Sequence, residues 1–231
     1  MSTMDISKRL KKIASLADES VIADIGCDHA LVCIEALNQH HVQKAYACDL
    51  RPGPLEQARI NIAAQSLSDR IFTRLESGIH NLPDDTRQIL ICGMGGRLIE
   101  QILTDDPIGD NVQSMLLSPH KDAAHLRQFL IEQGWRIEKE WMVEDGHFYP
   151  ILKVVRQTPA DSLSKENLLK DQESLLLGFN PTVDEDYLRF LDWQTELWTN
   201  IAAKIPDPAA KQTLLDQIQL ANHRKASLQD K

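Results

Sequence analysis

A chain of 231 residues, 42% hydrophobic and 26% charged, can bury a normal core with room for one domain and a smaller appendage, which excludes a disordered or low-complexity protein. Its net charge of -9 excludes indiscriminate attraction to nucleic acid, which needs a positive field, but leaves room for a local basic patch. No apolar run approaches the roughly eighteen residues of a membrane span, and none follows Lys8, Arg9, Lys11 and Lys12, so the chain reads as cytoplasmic, neither exported nor membrane-bound.

The first half alternates short apolar runs with helix-period segments, as βα units around a parallel sheet do. Strands are predicted at 21–25, 45–48, 71–75, 88–92 and 112–117, and helices at 30–38, 54–65 and 97–103. A helix over 123–133 stops at Gly134, and strands over 135–143 and 148–155 flank Glu144-Asp145-Gly146-His147, a hairpin signal. After Arg156 the strands end. A polar stretch, 157–164, leads into helices at 165–177, 184–204 and 209–227, with Pro206 and Pro208 forcing a turn so that the last two pack antiparallel. The expected division is an α/β domain over 1–156 and a helical arm over 157–231, with the first part folding alone. Strand order is not readable from periodicity.

Cys27, Cys33, Cys48 and Cys92 form neither a Cys-x-x-Cys pair nor a spaced set with histidines, so no metal site and no disulfide framework is expected. The chemistry gathers instead where strands end. Asp24-Ile25-Gly26-Cys27-Asp28-His29 puts a glycine and two carboxylates at the edge where open α/β sheets bind ligands. Gly26 permits close backbone approach, and Asp24 and Asp28 are placed to face cationic groups, although a simple strand-end turn fits as well. Asp49, with Leu50, ends the second strand where an acid accepts from ribose hydroxyls, or caps the helix after it. Ser77 and Gly78 close the third strand as an adenine contact or a plain turn. Gly93-Met94-Gly95-Gly96 follows the fourth strand directly and suits a backbone pressed against a flat ligand. It lacks the Gly-Lys-Ser/Thr ending of a phosphate loop.

Asp24-Ile-Gly-Cys-Asp28-His29-Ala30, Asp49 with Gly53-Pro54-Leu55, and Gly93-Met-Gly-Gly96 resemble the TrmK family of tRNA adenine-N1 methyltransferases, over nearly the whole chain. The resemblance implies a class I Rossmann-like methyltransferase fold with a C-terminal helical, coiled-coil-like arm. It implies S-adenosylmethionine as donor, its amino and sulfonium groups facing Asp24 and Asp28, and adenine 22 of tRNA as acceptor. The chain departs from the family pattern at Cys27, at Leu31-Val32-Cys33, at Glu76-Ser77-Gly78 where an acidic adenine contact is expected, and at Ser118-Pro119-His120 where a target base would sit.

Transfer to a ring nitrogen with a free lone pair needs positioning more than a strong base. Asp28 or His29 is placed to stabilise the cationic product, and His120 to stack on or bond a flipped base, while His29 equally suits a loop-holding role and His120 an exposed loop. Another RNA, a small-molecule acceptor, or a donor-binding scaffold remain alternatives at this level. Lys8, Arg9, Lys11 and Lys12 are read as a phosphate contact, and Trp193 and Trp198 as packing residues. A monomer is the simpler expectation.

Overall fold

A computed structural model describes residues 6–39, 41–158 and 165–229. The strands are β1 (Val21–Ile25), β2 (Lys44–Asp49), β3 (Ile71–Leu75), β4 (Gln88–Met94), β5 (Ser114–Pro119), β6 (Trp135–Glu144) and β7 (Phe148–Arg156). They form one sheet in the order β3-β2-β1-β4-β5-β7-β6, parallel through β5 and antiparallel at β7 and β6. Central parallel strands are covered on both faces and so read as unbroken apolar runs; β5 is buried at every position.

Helices α1 (Lys8–Leu16), α2 (Leu31–Asn38) and α3 (Pro52–Ala64) pack on one face, where Ile13, Val32, Leu37 and Leu55 meet Ile22, Leu90 and Leu116. Helices α4 (Gly96–Asp105) and α5 (Ala123–Glu132) cover the other, joining Ile99, Leu126 and Leu130 to Ile89, Ile91 and Leu117. The order reverses between β1 and β4, and the crevice at such a point lies outside the strands' carboxyl ends.

Beyond Arg156 follow α6 (Lys165–Lys170), α7 (Gln172–Leu177), α8 (Glu185–Ala202) and α9 (Pro208–Gln229). The single helix expected over 165–177 is two, because the Asp171 carboxylate accepts the Ser174 amide at 2.9 Å and starts a new one. Most of the expected polar stretch, residues 159–164, lies outside the described residues. Among the described residues no helix is long and apolar enough to cross a membrane.

The expectation that the chain up to Arg156 folds alone meets a packing obstacle. Arg127 on α5 and Glu140 on β6 form a bidentate ion pair at 2.8–3.1 Å with side chains 2% and 4% exposed. The remaining valences are closed from the arm. Arg127 donates to the Leu175 and Leu176 carbonyls at 2.9 and 3.3 Å, and the Phe179 amide donates to Glu140 at 2.7 Å. Residues 180–182 also bond the outer edge of β6: the Glu140 amide donates to the Asn180 carbonyl and the Thr182 amide to the Glu140 carbonyl. Arg156 marks the change from sheet to helices, while the packing continues to residue 182.

Candidate functional site

A cavity of about 540 Å³ opens at the carboxyl ends of β1, β2 and β4. It gathers Asp24, Gly26, Asp28, His29, Asp49, Leu50, Ser77, Gly78, Gly93, Met94 and His120 from loops far apart in sequence. Gly95 is not in its lining. It is the N-cap of α4, and a Cβ there would meet the Lys121 side chain at 3.1 Å. Gly96 likewise serves packing, since a Cβ would lie 2.6 Å from the Asp122 carbonyl.

Asp24 sits on β1, 4% exposed, and among the described residues its carboxylate accepts only a weak bond from the Cys33 thiol at 3.7 Å. Burial without a cationic partner pushes its pKa up to about 7, and the nearby charges of Asp49 and Asp28 push the same way. Gly26 follows at φ +73°, where its amide and that of Cys27 both donate to the Cys48 carbonyl at 2.9 Å and tie β1 to β2. Gly93, at φ +86°, sits in the register shift between Cys92 and Met94 that bends β4 around the cavity. Asp28 and Ala30 also hold left-handed backbone without being glycine, a local strain of the kind found at functional sites.

Asp49 is not the helix cap of the sequence alternative, since the N-cap of α3 is Arg51 with no side-chain capping bond. One carboxylate oxygen accepts the Arg51 amide at 2.8 Å, ahead of α3. Its second oxygen has no hydrogen-bond partner among the described residues. Glu76 lines the cavity too, but its carboxylate is held by Arg74, so no free acid stands at the third-strand loop. The exposed Asp28 carboxylate lies 3.5 Å from His29 Nε2, while the buried His29 Nδ1 has no hydrogen-bond partner among the described residues. His29 anchors its loop through the backbone, its carbonyl accepting from Asn61 at 3.0 Å, and not through the ring.

Sequence reasoning missed the mouth of the cavity as an assembly. His120 directly follows β5, its amide bonded to the Met94 carbonyl at 2.8 Å. Arg9 of α1 donates to His120 Nε2 at 2.7 Å and lies over the Tyr149 ring at 4.7 Å. Tyr149, His147 and Trp193 continue as edge-to-face contacts at 5.8 and 5.2 Å. Desolvation, then the charges of Arg9 and His147, hold the His120 pKa below its ordinary value, which keeps the ring neutral. The basic cluster read as one phosphate contact is divided among separate partners. Lys8 pairs with Asp186 at 2.6 Å, Lys12 lies over Trp141, and Arg9 turns into the cavity. The signal for Arg9 was its place in that cluster. Tyr149 gave none beyond an aromatic on a strand. Trp193 packs against Phe148 and Phe190, as a packing residue does.

The site suits a ligand with a cation to meet Asp24, a hydroxyl pair to meet the open oxygen of Asp49, and a flat group against Leu50 and the glycine loops. A profile described as a methyltransferase domain matches residues 6–152. A Bacillus subtilis tRNA (adenine(22)-N(1))-methyltransferase is 31% identical over 158 residues, an alignment spanning 66% of either chain. A Streptococcus pneumoniae protein, a candidate tRNA (m1A22) methyltransferase, superposes with a TM-score of 0.80 at 29% identity, covering 95% of this chain and 99% of that one. A structure of that protein in complex with S-adenosyl-L-methionine superposes at 0.78 with 28% identity, covering 95% and 99%.

Proposed function

The chain belongs to the methyltransferase-domain family, and from that premise we propose that it is an S-adenosylmethionine-dependent tRNA (adenine22-N1)-methyltransferase. The observation that carries the reading is the buried Asp24 carboxylate with no cation beside it among the described residues, lining the same cavity as Asp49. Bound S-adenosylmethionine supplies a methyl group made electrophilic by its cationic sulfur. In this reading Asp24 meets the ligand's positive charge, and Gly26 and Gly93 let the backbone close on it. Asp49 accepts from the ribose hydroxyls, and Leu50 with Ser77 and Gly78 walls the adenine.

Charge-assisted bonds of this kind are each worth roughly 1.5–3 kcal/mol. Asp49→Ala is therefore expected to weaken S-adenosylhomocysteine binding at least tenfold in calorimetry with the fold intact. Unchanged affinity would reduce Asp49 to the Arg51 turn.

Catalysis here is orientation more than proton transfer. Adenine N1 has a lone pair at neutral pH, so the chain needs to hold the base in line and exclude water. Asp28, exposed at the cavity wall, is the carboxylate available to offset the positive charge of the methylated base, with His29 beside it. The cytoplasm, where tRNA is met, is the expected place of action. On the arm Arg189, Arg224 and Lys225 are engaged by acidic partners, whereas Lys204 and Lys211 stand exposed without an ion pair among the described residues, suited to phosphate.

Purified protein with S-adenosylmethionine is expected to form 1-methyladenosine in unmodified tRNA, read by nucleoside mass spectrometry. Guanine at the target position should abolish it, because the corresponding nitrogen carries a proton and has no lone pair to attack with. Methylation of a small molecule with none of any tRNA would overturn the acceptor and leave the donor site standing.

A further inference from the structure

Arg9 is the anomaly of the cavity mouth. Its side chain is half-buried in an acidic protein, yet among the described residues its guanidinium makes no close ion pair; its backbone amide donates to Asp145 at 2.9 Å, and its charge reaches that carboxylate only as one of several influences lowering the Asp145 pKa. The guanidinium instead lies over the Tyr149 ring, its carbon 4.7 Å from the ring centre, and donates an N–H to His120 Nε2. A Cβ at Gly93 would lie 3.8 Å from Arg9 Nη1 and 3.7 Å from His120 Nε2, so this arrangement rests directly on the glycine loop of the donor cavity. We propose that Arg9 occupies the seat of the acceptor base, and that adenine displaces it, stacking on Tyr149 and donating its 6-amino group to His120 Nε2.

The inference rests on the adenine-methylation reading and adds the residues that recognise the base. Guanidinium and adenine share what this seat selects: a flat π-face and an N–H donor in its plane. A neutral imidazole whose Nε2 accepts from Arg9 offers the same lone pair to the 6-amino group. Guanine presents an oxygen at that position, setting acceptor against acceptor. The wall beyond is aromatic, His147 and Trp193 continuing from Tyr149, as suits a nucleotide drawn out of its stack.

The contact also strengthens as the reaction proceeds. A bond forms between N1 and the methyl carbon while the carbon–sulfur bond breaks, its electron pair staying on sulfur. No proton leaves in this step. The base becomes cationic and shares the charge with its 6-amino group, so that group donates more strongly to His120 at the transition state than before it, the condition for a contact to raise rate. Arg9, once displaced, is a free cation at the mouth, available to the phosphates flanking the extruded base.

Two tRNA transcripts differing only in adenine or purine at the target test this, purine lacking the 6-amino group. Wild-type protein should prefer adenine by at least tenfold in kcat/KM. His120→Ala should be slow on both alike, His120→Gln, whose amide oxygen accepts, should keep much of the preference, and Arg9→Ala should retain it. S-adenosylhomocysteine binding, read in parallel, certifies each fold. A separate readout is the fluorescence of 2-aminopurine at the same position with S-adenosylhomocysteine-loaded protein, quenched by wild type and Tyr149→Phe but not by Tyr149→Ala. If His120→Ala keeps the full preference, Arg9→Ala loses it, or Tyr149→Ala still quenches, the base does not sit here. If wild type methylates neither transcript, the acceptor reading fails and this inference with it, whereas methylation without these patterns overturns this inference alone.

Discussion

Ending the chain at Arg156 is expected to give an aggregating protein that does not bind donor, although every strand of the sheet is retained. The cut removes the Leu175 and Leu176 carbonyls and the Phe179 amide, which complete the Arg127–Glu140 pair. The pair itself survives the cut, but each lost hydrogen bond to a charged group is worth roughly 1.5–3 kcal/mol, against a total stability on the order of 5–15 kcal/mol for a domain. It also strips residues 180–182 from β6, the outermost strand, and exposes an unpaired edge. A chain ending at Val183 keeps all of these contacts and loses only α8 and α9. It should stay soluble and bind S-adenosylhomocysteine, with reduced stability because Met142 and Leu177 lose Tyr187, Phe190 and Leu191. Light scattering and calorimetry on the two truncations decide the matter. A soluble, donor-binding protein ending at Arg156 would show that residues 157–231 are a separable domain.

The contrast between strands and arm explains what the sequence disclosed. The central strands announce themselves because burial on both faces leaves largely apolar runs such as Val21–Ile25, recovered to the residue; the edge strand Ile71–Leu75, of which Ile71 alone is buried, is recovered through its β-branched and aromatic residues. Strand order was not legible, since pairing joins residues distant in the chain. The nine-residue α1 escaped because four of its first five residues are basic, and its apolar face, centred on Ile13 and Ala14, is narrow. At the site, Asp24, Gly26, Asp49 and Gly93 were legible because ligands bind where strands end, and those ends are local features. Arg9, His120 and Tyr149 come together from α1, the turn after β5, and β7, and no spacing rule links a residue to one 111 positions away. Gly95 was misplaced for a related reason. A run of three glycines does not say which one faces the ligand and which gives way to Lys121 and Asp122.

Asp24→Asn is expected to make the free protein more stable at pH 8 and to take away donor binding. Burial raises the Asp24 pKa from 3.8 to about 7, so the folded chain holds this proton more tightly than the unfolded one. Its contribution to stability is therefore fully present below the unfolded pKa and is lost as pH rises from about 4 through 7. About three pKa units correspond to roughly 4 kcal/mol above that window. Asn keeps the size of the side chain and an oxygen for the Cys33 thiol without the charge, so it avoids most of that loss. The advantage of the variant in urea denaturation should grow by about 2 kcal/mol between pH 5.5 and 8. A ligand's ammonium group reverses the balance, because it meets the ionised carboxylate that burial alone disfavours. Wild-type affinity for S-adenosylhomocysteine should thus fall up to about tenfold per pH unit below 7 and level off above it, whereas Asp24→Asn should bind at least tenfold more weakly at pH 8, with that dependence gone. A stability difference identical at both pH values, together with unchanged affinity, would mean that Asp24 is a packing residue and that the ligand's charge is met elsewhere.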